Sequence, residues 1–487
     1  MTMVPYSTFI LSIILLCILP GCVVGPDYRA PVSVTPPAWH SEISGGMKNN
    51  GGESNQLARW WHTLGDPLLS ALVDEATANN LDLKLAAARL RESRARRGLS
   101  AADRIPTVKA GAGAGRNRSS AEMATGGSRT ADTYSAQFDA SWELDLFGGK
   151  HRALEAASAT VEASLENIRD VQVSLLAEVV LAYIEIRSYQ AQIDNTSATI
   201  ASLKETEQIA DWRFQAGLVS QLDVEQARLN LEQTRAQLPA LLSGLEQSKN
   251  NLALLLGRSG GTLKELQGKM PIPVGSAEVA IGVPAEILRR RPDIRRAERQ
   301  LAAATAQVGE AEAARYPDLT LSGTLGLQAI SLGNLLNSSA FMYSLAANTA
   351  ATIFDGGRLK QKVEIQNALQ EQALITYQSA VQSAMRDVEN GLAAYAEEQN
   401  RRLRLKDAVT SAQSAEGLAR SQYAAGLIDF VTVLDTQRSL LSLQDQLIQS
   451  DAAVTSNLAR LYKALGGGWN HNIERTASPS VLSGAKP

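Results

Sequence analysis

The sequence is poor in the residues that build most chemical sites. Its 487 residues include two cysteines and four histidines. Two cysteines exclude a disulfide framework and a cysteine-rich zinc site. His40, His62, His151 and His471 stand too far apart to suggest a metal cluster, and aromatic residues make up only 5%. No charge dominates: 47 Lys+Arg against 50 Asp+Glu leave a net charge of -3, which excludes an electrostatic nucleic-acid binder. A mean hydropathy of -0.11 excludes a polytopic helical membrane protein. It leaves open a membrane β-barrel, whose strands are polar at every second residue. No Ser/His/Asp, Cys/His or metal constellation is present, so neither an enzyme nor a cofactor is expected.

The amino terminus reads as an address. The apolar run Phe9–Leu19 is too short for the ~20 residues of a bilayer span and suits a signal peptide. It runs into Leu19-Pro20-Gly21-Cys22, which resembles a bacterial lipobox, although no basic residue precedes Arg29 and Pro20 is unusual there. Residues 1–21 are therefore expected to be a lipoprotein signal and Cys22 the acylated first residue. The alternative is an ordinary cleaved signal with Cys22 a bystander. The proline-rich stretch that follows cannot be helical, and 22–67 is expected to form an extended arm.

An internal repeat shows at an offset of about 210. Asp82 stands 24 residues before Pro106, and Asp293 stands 24 before Pro317; both intervals are Ala/Arg-rich helical patterns ending in Arg104 and Arg315. Each is followed by two β-like segments, then by Phe147-Gly148-Gly149-Lys150 or Asp355-Gly356-Gly357-Arg358. Then come long helical patterns, which break at Gly217-Leu218 and Gly426-Leu427 before shorter helices to about Leu256 and Leu465. The first repeat is read over 68–256, a connection over 257–291, the second repeat over 292–465, and a disordered tail over 466–487.

The β-like segments alternate. Tyr134, Ala136, Phe138, Ala140, Trp142 and Leu144 interleave with polar residues over 133–144, as do Leu319, Leu321, Leu325 and Leu327 over 318–328. Weaker strands are expected near 107–116 and 341–354. Four such strands cannot close a barrel, which needs at least ~8. Either the sheet lies outside a membrane or several chains share one barrel. The long helices, 150–214 and 358–423, reach ~100 Å at 1.5 Å per residue, more than an ordinary globular domain accommodates. Val161, Ile168, Leu175 and Ala182 repeat at heptad spacing, as do Leu374, Val381, Val388 and Tyr395, which is coiled-coil patterning. Short helices are expected at 81–104, 221–256, 292–315 and 430–465.

These features, with Gly25-Pro26-Asp27-Tyr28, Trp60-Trp61, Asp66-Pro67-Leu68, Arg290-Arg291-Pro292-Asp293-Ile294 and Leu434-Asp435-Thr436-Gln437-Arg438, resemble the TolC-type outer-membrane efflux ducts, in their lipoprotein branch. The resemblance covers the chain from Cys22 to about Leu465. It implies an α+β membrane protein and a homotrimer: four strands per chain in a shared 12-stranded barrel, above a long coiled-coil periplasmic tube. It also implies the outer membrane of a Gram-negative bacterium, with the lipid anchor on the periplasmic side. The partners would be a periplasmic membrane-fusion adaptor, an inner-membrane pump of the resistance-nodulation-division type and outer-membrane lipids, with no nucleic acid. Small-molecule efflux is the leading function; metal-ion efflux, type I protein secretion and a non-conducting coiled-coil scaffold are the alternatives.

Individual residues acquire expected roles. Gly148, Gly149, Gly356 and Gly357 sit where strand becomes helix and should supply sharp turns. Neither their spacing nor the Gly/Ala run at 111–115 matches a phosphate-binding loop. The arginines of 289–299 are interleaved with Asp293 and Glu298 and read as a solvated helix start. Gly217, Leu218, Gly426 and Leu427 should form the tips of two helical hairpins. Past the second tip, Val431, Asp435 and Arg438 fall at i, i+4 and i+7 on one helix face. The resemblance makes these three the periplasmic gate; the alternative is an exposed surface pair of Asp435 and Arg438. The first repeat carries Gln226 and Leu229 at the equivalent places.

Overall fold

A computed structural model describes residues 23–31, 36–41, 47–48, 57–118, 120, 130–261, 263–275, 279–280, 284 and 289–469. Cys22, the signal segment, residues 470–487 of the tail and part of the 257–291 connection lie outside the described residues. The helices are α1 (Pro67–Asn79), α2 (Leu81–Ala102), α3 (Gly149–Gln215), α4 (Gln221–Leu255), α5 (Pro292–Ala313), α6 (Arg358–Ala424) and α7 (Phe430–Ala464). The long strands are β1 (Thr107–Arg118), β2 (Thr130–Leu144), β3 (Asp318–Ala329) and β4 (Phe341–Ala350), in one antiparallel sheet of order β1-β2-β3-β4, and a two-residue parallel pair joins Met47–Lys48 to Val279–Ala280. Both long helices have 67 residues.

Local chemistry sets the element ends. Asp66 caps α1, its carboxylate accepting from the Leu68 and Leu69 N–H groups at 2.9 and 3.1 Å with Pro67 at the first position. Asn80 caps α2 by accepting from Asp82 and Leu83. Four helices end on the same glycine device. Leu218, Arg258, Leu427 and Gly467 each donate to the carbonyl five residues back, and Gly217, Gly257, Gly426 and Gly466 take positive φ.

Two expectations shift. The last strand stops at Ala350 rather than reaching 354, because its partner β3 begins at Asp318, directly opposite Ala350. The arm assigned to 22–67 is not extended throughout. Trp60–Leu64 is a turn of 3-10 helix, and Trp60, 1% exposed, stacks on Tyr462 at 5.0 Å.

The chain divides into two compact units. The first (1–32, 89–165 and 296–378) contains the whole sheet and the helix segments attached to it. The second (33–88, 166–295 and 379–487) holds the main apolar core, with Leu69, Leu176, Ile184, Leu256, Leu392 and Leu461 fully buried. Within that core Tyr183 donates to Asp66 at 2.5 Å and receives Arg187 at 3.0 Å, while Arg187 also donates to the Gly268 carbonyl. Burial, then the Asp66 hydrogen bond, pushes the Tyr183 phenol up to about 12. It therefore remains a donor at any physiological pH.

Candidate functional site

In the first unit the strand register gathers the apolar residues on one face. Phe138 lies opposite Ala110 and Leu325, and Leu325 in turn opposite Tyr343; Ala136 lies opposite Ala112 and Leu327, and Leu327 opposite Phe341. This face is open: Tyr343 is 76% and Leu345 85% exposed. The opposite face is polar, with Asp139 accepting from Thr324 at 2.7 Å and from Gln137. An apolar outside and a polar inside is the pattern of a strand between lipid and an aqueous lumen. Among the described residues, no helix is long and apolar enough to cross a membrane.

The strand-to-helix turns carry the expected glycines, with φ of +79° at Gly148, +66° at Gly356 and +89° at Gly357, while Gly149 is the first residue of α3. The capping itself is done by aspartates that the glycine pattern concealed. Asp145 accepts from the Lys150 and His151 N–H groups, and Asp355 accepts from Gly357 and Leu359. The Leu359 N–H chiefly, with Gly357, holds the Asp355 carboxyl below its ordinary range. The signal was present in the sequence: one aspartate just before the Gly-Gly pair in each half.

The first described residues of the arm are held at the first of these turns. Val24 donates to the Phe147 carbonyl, and a Cβ on Gly148 would meet the Val23 side chain at 2.8 Å. Arg152 is the organiser, donating to the Val24 and Gly25 carbonyls and to Asp27 at 2.7 Å. Its hydrogen bond and charge lower the Asp27 carboxyl. Tyr28 donates to Glu298 at 3.0 Å beneath the Arg299 guanidinium. The Gly-Pro-Asp-Tyr motif is thus a docked segment, with Val23 fixed one residue after Cys22. Farther along, in the second unit, Glu389 accepts from the His40 and Ser41 N–H groups.

Also in the second unit are both hairpin tips. Leu218 is 70% and Leu427 74% exposed beside their positive-φ glycines. Val431, Asp435 and Arg438 lie along one exposed stripe of α7, with Asp435 and Arg438 3.8 Å apart. Arg438 also donates to the buried Asn230 of α4 at 3.1 Å, a link between hairpins that α7 alone could not reveal. A second link is Arg213 of α3. It donates to the Tyr423 and Ala424 carbonyls at 3.2 Å and lies over the Tyr423 ring. It thereby satisfies carbonyls that end α6.

A half-apolar four-stranded sheet, two ~100 Å helices and twin helical hairpins define a TolC-type channel subunit. The chain belongs to the family described as outer membrane efflux protein, which it matches over residues 72–258 and 283–467. It is 34% identical over 462 residues to the solvent efflux pump outer membrane protein SrpC of Pseudomonas putida, with 93% of this chain and 97% of that protein covered. The cation efflux system protein CusC of Escherichia coli O6:H1 is 31% identical over 451 residues, covering 93% and 96%. The solved outer-membrane channel OprN superposes with a TM-score of 0.87 at 34% identity, over 92% of this chain and all of that one. The protein is therefore an outer-membrane exit duct of a tripartite efflux pump in a Gram-negative bacterium, extending into the periplasm, and not an enzyme. Its family forms trimers and works with adaptors and inner-membrane pumps.

Proposed function

We propose that three chains close one 12-stranded barrel and passively conduct small toxic molecules, solvents or drugs, delivered by a membrane-fusion adaptor and a pump of the resistance-nodulation-division type. The observation that carries this reading is the sheet: apolar on one face, polar on the other, with β1 and β4 left as open edges among the described residues. Unpaired backbone groups are not tolerated in lipid, so assembly must satisfy them. Similarity to the solvent-pump component favours organic substrates; similarity to the cation-system component supports metal efflux as the second reading.

Cys22 is the acylated N-terminus in this reading, supported by the docking of Val23 through Tyr28. Val431 narrows the resting tip in it, while Asp435 and Arg438 form its polar ring. Three Asp435 carboxylates around an axis would repel one another unless paired, and each has Arg438 3.8 Å away. Amine cross-linking of detergent-extracted protein should stop at three chains, and the purified protein should open discrete channels in planar bilayers. A stable monomer with a closed barrel would overturn the shared-barrel reading. Mass spectrometry should find a diacylglyceryl-modified Cys22 at the mature N-terminus; an unmodified start elsewhere removes the anchor alone.

A further inference from the structure

On α7 the face that carries Asp435 and Arg438 carries charge a second time. Arg460 and Lys463 stand 25 residues beyond them, about seven full turns and ~38 Å along the same face. There they line a groove of about 400 Å³ between α6 and α7, with Asn390 and Gly391 of α6 and Asn457 of α7. The groove lies on the side of both helices turned away from buried Val388, Leu392, Leu458 and Leu461. A Cβ on Gly391 would meet the Leu461 side chain at 3.2 Å, so the glycine lets the two helices close beneath the groove.

Charge in this groove is one-sided. Its one acid, Asp387, is engaged by Arg291 at 3.4 Å and by Arg386 at 2.8 Å. Arg460 donates to the Asn457 side chain at 3.0 Å, and among the described residues no acid pairs with Arg460 or Lys463. The next acid on that face of α6, Glu397, stands about 10 Å beyond Asn390. Cations in the last turns of a helix ordinarily complement its dipole and free carbonyls. Here the carbonyls of Leu461, Tyr462, Lys463 and Ala464 already accept from Leu465, Gly467, Gly466 and Arg291. The first repeat also does without them. Its return helix α4 ends on the same glycine turn, yet Asn251 and Leu254 stand at the two places. The fold therefore requires neither cation.

We infer that this groove is an anion site on the lumen side of the duct wall, where Arg460 and Lys463 hold solutes bearing two or more carboxylate or phosphate groups. The inference rests on the duct reading, in which the stripe of Asp435 and Arg438 faces the channel. A wall with its core on one side presents the other side to the lumen, and the stripe marks which side that is. At i and i+3 the two cationic heads converge on one ligand. The guanidinium offers a planar fork and the ammonium a point charge. Asn390, across the groove on α6, adds an amide donor. Three chains around an axis repeat the site three times, which makes a cationic girdle at one level of the channel. Anions with several charges gain most there, because each added carboxylate finds a further unpaired cation.

The test uses the purified full-length protein in planar bilayers, with citrate as the probe. Citrate should reduce the single-channel current in KCl and saturate, whereas extra KCl of equal ionic strength should not reduce it. Arg460→Gln/Lys463→Gln should need about tenfold more citrate for the same block, the size expected for one lost charge-assisted hydrogen bond. In a KCl gradient its reversal potential should move towards that of a cation-selective channel. Arg460→Lys/Lys463→Arg, which keeps both charges, should remain sensitive to citrate. Asn251→Gln/Leu254→Gln, at the first-repeat places, should behave as wild type. A wild-type current indifferent to citrate, or equal block in wild type and the neutralised variant, would overturn the site and leave the duct standing. No channels from any of these chains would remove the duct reading and the site with it.

Discussion

The two hairpin tips are built alike where the chain turns and differently where it returns. Gly217 and Gly426 have φ of +72° and +73°, and Leu218 and Leu427 close the turn with equivalent hydrogen bonds. After the turn they part. The first return helix begins with a capping box, in which Asp223 accepts from the Ser220 N–H; the second begins at Asp429 with no side-chain cap. Both hairpins contribute to the small apolar cluster between them, the first with Ala210, Val224 and Ala227, the second with the larger Tyr423, Phe430 and Leu434. The first has Phe214, Gln221 and Glu225 at those places, with Phe214 exposed. Both tips are buried against each other, but the first adds a local capping box and the second adds the large aromatic side chains. The duplication thus keeps the turn and varies the stripe beyond it, where Asp435 and Arg438 replace Gln226 and Leu229.

The sharpest break in this comparison should come from burial. Phe430 is 3% exposed and packs on Tyr423 at 5.2 Å. Phe430→Ala should destabilise the tip by about 3 kcal/mol or more. Its counterpart Gln221→Ala should change it by roughly 0.5 kcal/mol at most. Amide hydrogen exchange over 210–225 and 419–434 would separate the two.

Where the tips are alike, substitutions should act alike. Gly217→Ala and Gly426→Ala each force a Cβ into the left-handed region, at a cost of about 1–2 kcal/mol. Protease sensitivity at the two tips should rise equally. A large difference would mean that the turns are not equivalent. The smallest contrast lies in the caps. Asp223→Ala, which removes the acceptor of the Ser220 N–H, should cost about 1 kcal/mol in local stability, whereas Asp429→Ala, which removes no side-chain cap, should leave the second tip nearly unchanged by the same exchange measurement.

Much of this was legible in the sequence because periodicity and punctuation are local. Alternation in 133–144 and 318–328 places the central strands, and Gly217 and Gly426 mark the tips. The ends of the long helices differ by at most one residue from those expected. What escaped is long-range. Nothing near Arg152 announces that it grips Val24, Gly25 and Asp27, more than a hundred residues earlier, and nothing in α7 points from Arg438 to Asn230. The edge strand β1 is weak in the sequence because its apolar face is mostly alanine and its other face largely glycine. Its register comes from pairing with β2. Trp60 and Trp61 sit in a segment whose prolines suggest an arm, and their burial depends on α7 folding back to present Tyr462.

The proposed gate narrows the duct at the second tip and not at the first. Single-channel conductance of the purified trimer in planar bilayers tests it most directly, comparing wild type with Asp435→Ala/Arg438→Ala and with Gln226→Ala/Leu229→Ala. Conductance should rise clearly in the first double variant and stay at the wild-type level in the second. Unchanged conductance in both, with the trimer intact, would contradict the assignment of the gate, and the absence of channels in every case would contradict the duct.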